Sequence, residues 1–221
     1  MTPVTLADIK EEVRTYLGDD NIEDEVITNA ANEFVNGLFA DTRTELMQTS
    51  DTLSAAQGAT EVPLPADYQA IMTLRLTTPQ DSPLTNYMVY GDFMNVYGNF
   101  ATATQQQAYS YTMFNRKLRF SAPFNAAHTF YLDYYRKPVE MVDDTDVCEI
   151  PGTYRKLIRV GTMTTIQKSN EDYAEALQEL DDIEPLITTF KRNEAPGQGK
   201  TGPVIMRTNR RPGNQSSRWD F

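Results

Sequence analysis

The segment Phe130-Tyr-Leu-Asp-Tyr-Tyr-Arg-Lys-Pro138 lies where the patterning of this 221-residue chain changes from β-type to α-type. Every second residue from Phe130 to Tyr134 is apolar or aromatic, as expected of a strand with one buried face. The closing proline ends that strand because it has no amide hydrogen for the ladder. Apolar residues return at helical spacing after Ile150-Pro151. The sequence therefore predicts a β-rich middle followed by helices.

Shorter elements precede this strand. They are an extended stretch over Val62–Tyr68, a strand over Ala70–Thr77, a short helix over Met88–Tyr97 ended by Gly98, and a hairpin around Asn115-Arg116 with arms Tyr109–Phe114 and Lys117–Ser121. The polar stretch Met47–Thr60 is rich in Gly, Ala and Ser and predicts a loop.

Two helices are predicted before the β-rich middle. Thr5 and Asp8 have the spacing of a capping box with Asp in place of Glu, and Gly18 ends the first helix. Asp19 and Asp20 are candidate caps of the second helix. Its predicted apolar face consists of Ile22, Val26, Ala30, Phe34 and Leu38.

Two further helices are predicted after Pro151. The first has an apolar face at Tyr154, Leu157, Ile158, Gly161 and Thr165. The second begins near Ser169-Asn-Glu-Asp172 and runs to Phe190, with Pro185 expected to kink or weaken it. Because neither helix pair is long enough to form a core alone, we predict an α+β fold. In this fold the N- and C-terminal helix pairs form a four-helix bundle with a small antiparallel β domain inserted between them.

The predicted organisation has four parts. They are the N-terminal helix pair (1–60), the inserted β-rich domain (61–150), the C-terminal helix pair (151–192) and an extended basic docking arm (193–221).

Charge divides the chain into an acidic body and a basic arm. The formal net charge is −11, but residues 191–221 contain seven Lys and Arg against two acidic residues, a net of +5 that leaves −16 for residues 1–190. Such asymmetry is typical of a chain with a binding partner. The body charge itself argues against ordinary DNA binding, because it repels phosphates.

The arm is rich in Pro and Gly, which predicts a segment that is disordered alone and docks on a partner. From Glu194 to Phe221 it spans roughly 90–100 Å when extended and about 30 Å as a flexible coil. Arg and Trp are favoured interface anchors. The candidate partner-binding residues are Arg207, Arg210, Arg211, Trp219 and Phe221.

Catalytic and metal chemistry have weak candidates. Cys148 lies among carboxylates that raise a thiol pKa, and His128 is the only histidine, so neither a Cys–His pair nor a zinc site is expected. Asp143, Asp144 and Asp146 could hold calcium, but the glycine of an EF-hand loop is missing and a solvated loop is favoured. No phosphate-binding glycine motif lies between a strand and a helix. We predict a protein that is not an enzyme and uses no metal or cofactor.

Aromatic and basic residues alternate in the Tyr131–Lys137 strand. They could stack on bases, as in single-strand binders, although a packed sheet face or a subunit contact is favoured. No apolar run approaches the length of a membrane span, so no membrane partner is expected.

Five local strings together resemble the head-to-tail adaptor (connector) proteins of tailed bacteriophages. They are Ile9–Asp19, the Leu64-Pro-Ala-Asp-Tyr68 turn, the Tyr131–Pro138 strand, the Ile150–Ile158 segment, and the helix that holds Tyr173 and Ala176. Their order is more specific than any one of them. The resemblance covers about residues 5 to 192.

The resemblance implies a virion protein of the neck, at the portal vertex, assembled in the host bacterial cytoplasm. It implies a homo-oligomeric ring of twelve subunits under the portal protein that extends the DNA channel and provides the surface for tail or nozzle proteins. DNA then passes without specific binding, which an acidic channel wall favours. The alternatives are a nucleic-acid-binding accessory protein that uses the basic arm and a head-completion or tail component.

Overall fold

The computed structural model describes residues 2–77, 82–83, 86–98, 104–106, 110–169 and 173–195, and the side chains of these except 82–83 and 173–182. The helices are α1 (Leu6–Leu17), α2 (Asp24–Asp41), α3 (Tyr90–Tyr97), α4 (Arg155–Ser169) and α5 (Tyr173–Glu194). The strands are β1 (Gln48–Ala55), β2 (Glu61–Pro63), β3 (Tyr68–Leu76), β4 (Ser82–Pro83), β5 (Asn86–Tyr87), β6 (Ser110–Phe114), β7 (Lys117–Phe120) and β8 (His128–Arg136). Short 3₁₀ turns occupy Glu45–Met47 and Gly152–Tyr154.

Helix α1 begins and ends as its sequence predicts. The Thr5 hydroxyl accepts a hydrogen bond from the Asp8 amide (3.2 Å), and the Thr5 amide donates to the Asp8 carboxylate (2.9 Å). This reciprocal pair is the predicted capping box. Gly18 ends the helix with φ of 66°, a left-handed conformation that residues with a Cβ adopt rarely.

Helix α2 begins later and faces the core differently from the prediction. Its N-cap is Glu23, because the Asp19 carboxylate instead accepts the Asn21 amide (2.9 Å) in the turn between the helices. Val26, predicted to be buried, is exposed. The helix is apolar on more than one stripe, and packing against α4 selects the stripe that is buried. That stripe is Ile27, Ala30, Ala31, Val35, Leu38 and Phe39.

Helices α1, α2, α4 and α5 share one hydrophobic core, in which α4 contacts each of the other three. Gly161 lets the backbone of α4 pack directly against the Phe34 ring of α2, since a Cβ at this position would lie 2.3 Å from the ring. Pro185 lies inside α5, which continues past it to Glu194. The structure thus confirms the α+β class, whereas a regular four-helix bundle and the predicted domain limits stay predictions.

The strands form two small sheets. The first has the order β1–β8–β3–β4 and is antiparallel. The second has the order β2–β7–β6–β5 and is antiparallel except for the parallel pair β5–β6, which the prediction of an antiparallel domain did not include. The predicted β6–β7 hairpin is confirmed, with Asn115 and Arg116 both at positive φ. The apolar faces of both sheets contribute to one further core.

The prediction of a loop over Met47–Thr60 is wrong, because β1 occupies Gln48–Ala55. It pairs with β8 over its whole length, from Gln48 opposite Tyr135 to Ala55 opposite His128. Most of its residues are polar because they face solvent, while Leu53 and Ala55 enter the core. Pairing with a strongly β-forming neighbour, distant in sequence, overrides the weak local propensity.

A polar cluster on the solvent face ties β1, β8 and β3 together. The Asp133 carboxylate accepts hydrogen bonds from Ser50 (2.7 Å) and Thr73 (2.5 Å) and pairs with Arg75 (3.1 Å). These partners, Ser50 first, hold the pKa of Asp133 below its ordinary value of 3.8. The folded state therefore favours the charged carboxylate.

We predict that Asp133→Asn lowers the free energy of unfolding at pH 7 by about 1.5–3 kcal/mol, the range for hydrogen bonds to charged groups. Since the folded pKa is depressed, the carboxylate stabilises the protein above pH 3.8 and this contribution is lost as the pH falls below that value. The difference in the free energy of unfolding between variant and wild type, measured with urea, should therefore shrink from pH 7 to pH 3. Glu140→Gln, a change at an exposed carboxylate, is the control and should match wild type to within about 0.5 kcal/mol. An equally large difference at pH 3 would contradict a stabilising role for the charged Asp133 carboxylate.

Candidate docking surface

The predicted anchors Arg207, Arg210, Arg211, Trp219 and Phe221 lie outside the described residues, as does the arm beyond Ala195. Their role therefore stays a prediction. The structure describes the place at which the arm begins.

The root of the arm is fixed at the C-terminal end of α5. Phe190 is fully buried and packs edge-to-face against Phe39 (5.9 Å between ring centroids) and Tyr154 (5.0 Å). The Tyr154 hydroxyl donates to the Glu194 carboxylate (3.0 Å), and the Ala195 amide continues the helical pattern by donating to the Lys191 carbonyl. The arm therefore leaves from a defined position beside α2 and the start of α4.

A second feature is the loop of residues 139–147 between β8 and α4, called here the valine loop. Val139 is 69% exposed, Val142 75% and Val147 50%, although each is apolar. The sites predicted from the sequence did not include this loop. The sequence feature that could have indicated it is the presence of three valines within nine residues, but the acidic side chains of the same segment indicated a solvated turn.

The valine loop is anchored to α2 and to itself. The Asn32 side-chain amide donates to the Met141 carbonyl and its oxygen accepts the Met141 amide, both at 2.9 Å. The Asp146 carboxylate accepts the Val142 amide (2.7 Å) and the Asp143 amide (2.8 Å), and these bonds lower the pKa of Asp146. The loop backbone is thus held from Met141 to Asp146.

The loop also closes the N-terminal end of α1. The Leu6 amide donates to the Asp146 carbonyl (2.9 Å) and the Ala7 amide to the Asp144 carbonyl (3.0 Å). First-turn amides have no partner within their own helix, so the loop supplies acceptors that α1 lacks. The Cys148 amide donates to the Val4 carbonyl (2.8 Å) on the same side.

Lys10 joins the valine loop to α1 and α2. It is buried, and its ammonium lies 2.6 Å from the Asp144 carboxylate and 3.3 Å from that of Asp24. The hydrogen bond to Asp144 is the largest cause that raises the pKa of Lys10, against the opposing effect of burial. The cation stays charged and links α1, α2 and the loop.

These contacts account for the acidic residues that suggested calcium. Asp144 pairs with Lys10 and Asp146 caps the loop, and within the described ranges no cluster of His, Cys, Asp and Glu is arranged to hold a metal ion. Glu140 and Asp143, by contrast, carry exposed carboxylates that form no ion pair with any described residue. The outer side of the valine loop is therefore both apolar and acidic.

Cys148 and His128 occupy structural positions. Cys148 is buried, and burial raises the pKa of its thiol to about 11, the opposite of what a nucleophile requires. His128 lies at the start of β8, where its ring packs near Phe124 (5.1 Å between centroids) and its Nε2 lies 3.3 Å from the Asn125 side-chain oxygen.

The Tyr131–Lys137 strand is part of the packed sheet. Tyr134 and Tyr135 are buried, and the Tyr134 hydroxyl donates to Asp67 (2.9 Å). Burial first, and then this acceptor, raise the pKa of Tyr134 to about 12. Arg136 pairs with Glu149 (2.6 Å). Two of the tyrosines and the arginine that could have stacked on bases are thus occupied within the protein, which agrees with the interpretation of a packed sheet face.

The sequence profile of the SU10 adaptor protein matches residues 4–199. The chain belongs to the SU10 adaptor protein family. This is a family of phage head-to-tail adaptors, and the resemblance found in the sequence is confirmed. No curated protein matches the chain.

Membership in the SU10 adaptor protein family supports a structural phage adaptor role and a place in the virion. The match covers α1 through α5, so both helix pairs and both sheets lie within it. Among the helices that the structure describes, none is long and apolar enough to cross a membrane.

We predict that Asn32→Ala lowers the free energy of unfolding by about 1–3 kcal/mol, because the Met141 amide and carbonyl both lose their partner. Hydrogen exchange at the amides of residues 141–147 should accelerate, since the loop loses its anchor on α2. Asn36→Ala is the matched control, because Asn36 lies one turn further along α2 and its side chain makes no hydrogen bond with the described residues. Equal exchange in the two variants would show that Asn32 does not hold the loop.

Proposed function

We propose that the protein is a structural, non-enzymatic head-to-tail adaptor that forms a homo-oligomeric ring of twelve subunits under the portal protein. The ring extends the DNA channel and provides the attachment surface for tail or nozzle proteins. The family match over residues 4–199 carries this proposal, because it covers the folded body and not a single motif. Assembly takes place in the host bacterial cytoplasm, and the mature protein is in the neck of the virion.

The charge of the body supports a channel that does not retain DNA. Residues 1–190 carry a net charge of −16, and a ring repeats that charge in every subunit. DNA-binding proteins gain affinity by releasing counterions from phosphates that they neutralise. An acidic wall has the opposite effect, so the genome passes without specific binding.

The arm supplies the docking contacts of the assembly. Its anchors are Arg207, Arg210, Arg211, Trp219 and Phe221, placed on a neighbouring subunit or on the portal. The Phe190–Tyr154 contact and the Tyr154–Glu194 hydrogen bond support this role, because they give the arm a fixed point of departure. A fixed root limits the region that the arm can search and lowers the entropic cost of docking.

We predict that deletion of residues 196–221 leaves a folded body that no longer joins portal-containing heads. The deletion starts after Ala195 so that Glu194 still accepts the Tyr154 hydroxyl. Thermal unfolding should therefore change little, while co-sedimentation with heads is lost. The triple change R207K/R210K/R211K keeps the charge and is the control for general electrostatic attraction. Normal co-sedimentation of the truncated protein would remove the arm from the proposal.

The +5 charge of residues 191–221 also supports a second candidate, a nucleic-acid-binding accessory protein. This candidate predicts DNA affinity that falls steeply with salt, with a slope of log K against log salt that weakens by about 0.9 for each phosphate contact removed. R207Q/R210Q/R211Q should then reduce both affinity and slope in fluorescence-anisotropy titrations. No binding to duplex or single-stranded DNA at low salt would remove this candidate and leave the adaptor.

A further inference from the structure

The valine loop has the properties of a prepared docking surface. Its backbone is fixed by Asn32, by the Asp146 carboxylate and by the amides of α1, yet its valines point away from the core. Valine side chains have few rotamers, so this apolar surface loses little entropy when it is covered.

The charge beside these valines specifies the partner. Glu140 and Asp143 lie between Val139 and Val147 in the loop and are not neutralised by any described cation. Asp144 differs, because Lys10 holds it. A ligand for the loop should therefore combine apolar side chains with closely spaced positive charges.

The arm contains such a segment. Val204-Ile-Met206 is an uninterrupted apolar run, and Arg207, Arg210 and Arg211 follow it directly. We propose that residues 204–211 of a second copy of this chain dock on the valine loop, with the apolar run on the valines and the arginines at Glu140 and Asp143. Residues 195–204, which separate this run from the root of the arm, span roughly 30 Å when extended.

The assignment to a second copy rests on the proposed function, in which subunits form a ring. An arm that docks on the loop of the next subunit makes a heterologous contact, with different surfaces on the two partners. Contacts of this type generate a ring when the rotation between subunits closes. Trp219 and Phe221, which lie eight and ten residues beyond Arg211, stay free for the portal.

Disulfide trapping tests the contact between separate copies. A V142C variant is mixed with a size-tagged M206C variant under mild oxidation, and V96C, a valine on α3 that is 62% exposed, replaces V142C in the control mixture. We expect at least a fivefold excess of the mixed disulfide with V142C over that with V96C. The excess should fall at high salt, where charge attraction is screened. Equal yields of the two mixed disulfides would overturn the proposal.

A charge exchange tests the role of the acidic side chains. E140R/D143R should abolish the excess in the V142C background, and combination with an R207E/R210E/R211E arm in the M206C partner should restore it. If an R207Q/R210Q/R211Q arm in the M206C partner restored the excess as well, the proposed charge pairing would be overturned. An intramolecular disulfide in a V142C/M206C double variant, with none in the mixture, would overturn the assignment to a second copy.

These outcomes are separate from those of the proposed function. Trapping uses purified full-length protein, whereas adaptor function is measured by joining to portal-containing heads. Trapping without joining would support the loop contact and remove the adaptor role. Joining without trapping would support the adaptor role and overturn the loop contact.

Discussion

The start of α1 is the point on which the rest of the fold depends. Two of its first amides find their acceptors in the carbonyls of Asp144 and Asp146, more than 130 residues away in the chain. The same junction pairs Thr5, the N-cap of α1, with Val147 in an isolated β-bridge and places Thr2 so close to Gly152 that no Cβ fits there. Both helix pairs are thereby joined at one place, and the valine loop acquires its fixed shape as a consequence. Burial of the Lys10 ammonium is tolerable only because the two carboxylates complete this junction.

Local signals in the sequence were sufficient for elements whose structure is decided locally. The Thr5–Asp8 capping box and Gly18 defined α1, and the two-residue turn at Asn115-Arg116 defined the β6–β7 hairpin, because each depends on neighbours within a few residues. Strand β1 could not be found in this way. Its serines and threonines have little preference, and its structure comes from pairing with β8, about 80 residues further along the chain. The buried stripe of α2 was also undecidable locally, since α4 selects it.

The candidate site follows the same division. Composition identified the basic arm, because charge can be counted without a fold. The valine loop could not be recognised from the sequence, because valines that follow a proline and lie among aspartates are usually interpreted as part of a solvated connection. The hydrogen bonds of Asn32, of the Asp146 carboxylate and of the α1 amides show that the backbone of this connection is held in place, and the exposed fractions show that its valines face solvent. Both properties arise from contacts between segments that are far apart in the sequence.

The position of the Phe190 ring has a mechanical consequence. Phe190 lies between Phe39 of α2 and Tyr154, which directly precedes α4, so tension applied along the arm enters the helices at two points at once. From Tyr154 the covalent path runs back through Gly152 to the valine loop, and from there through Asp144 and Lys10 into α1. The path meets the first sheet at the end of β8, where Arg136 pairs with Glu149, and at β3, where the Gln69 side-chain amide donates to the Phe39 carbonyl. A pull on the arm is thus carried into the helical core.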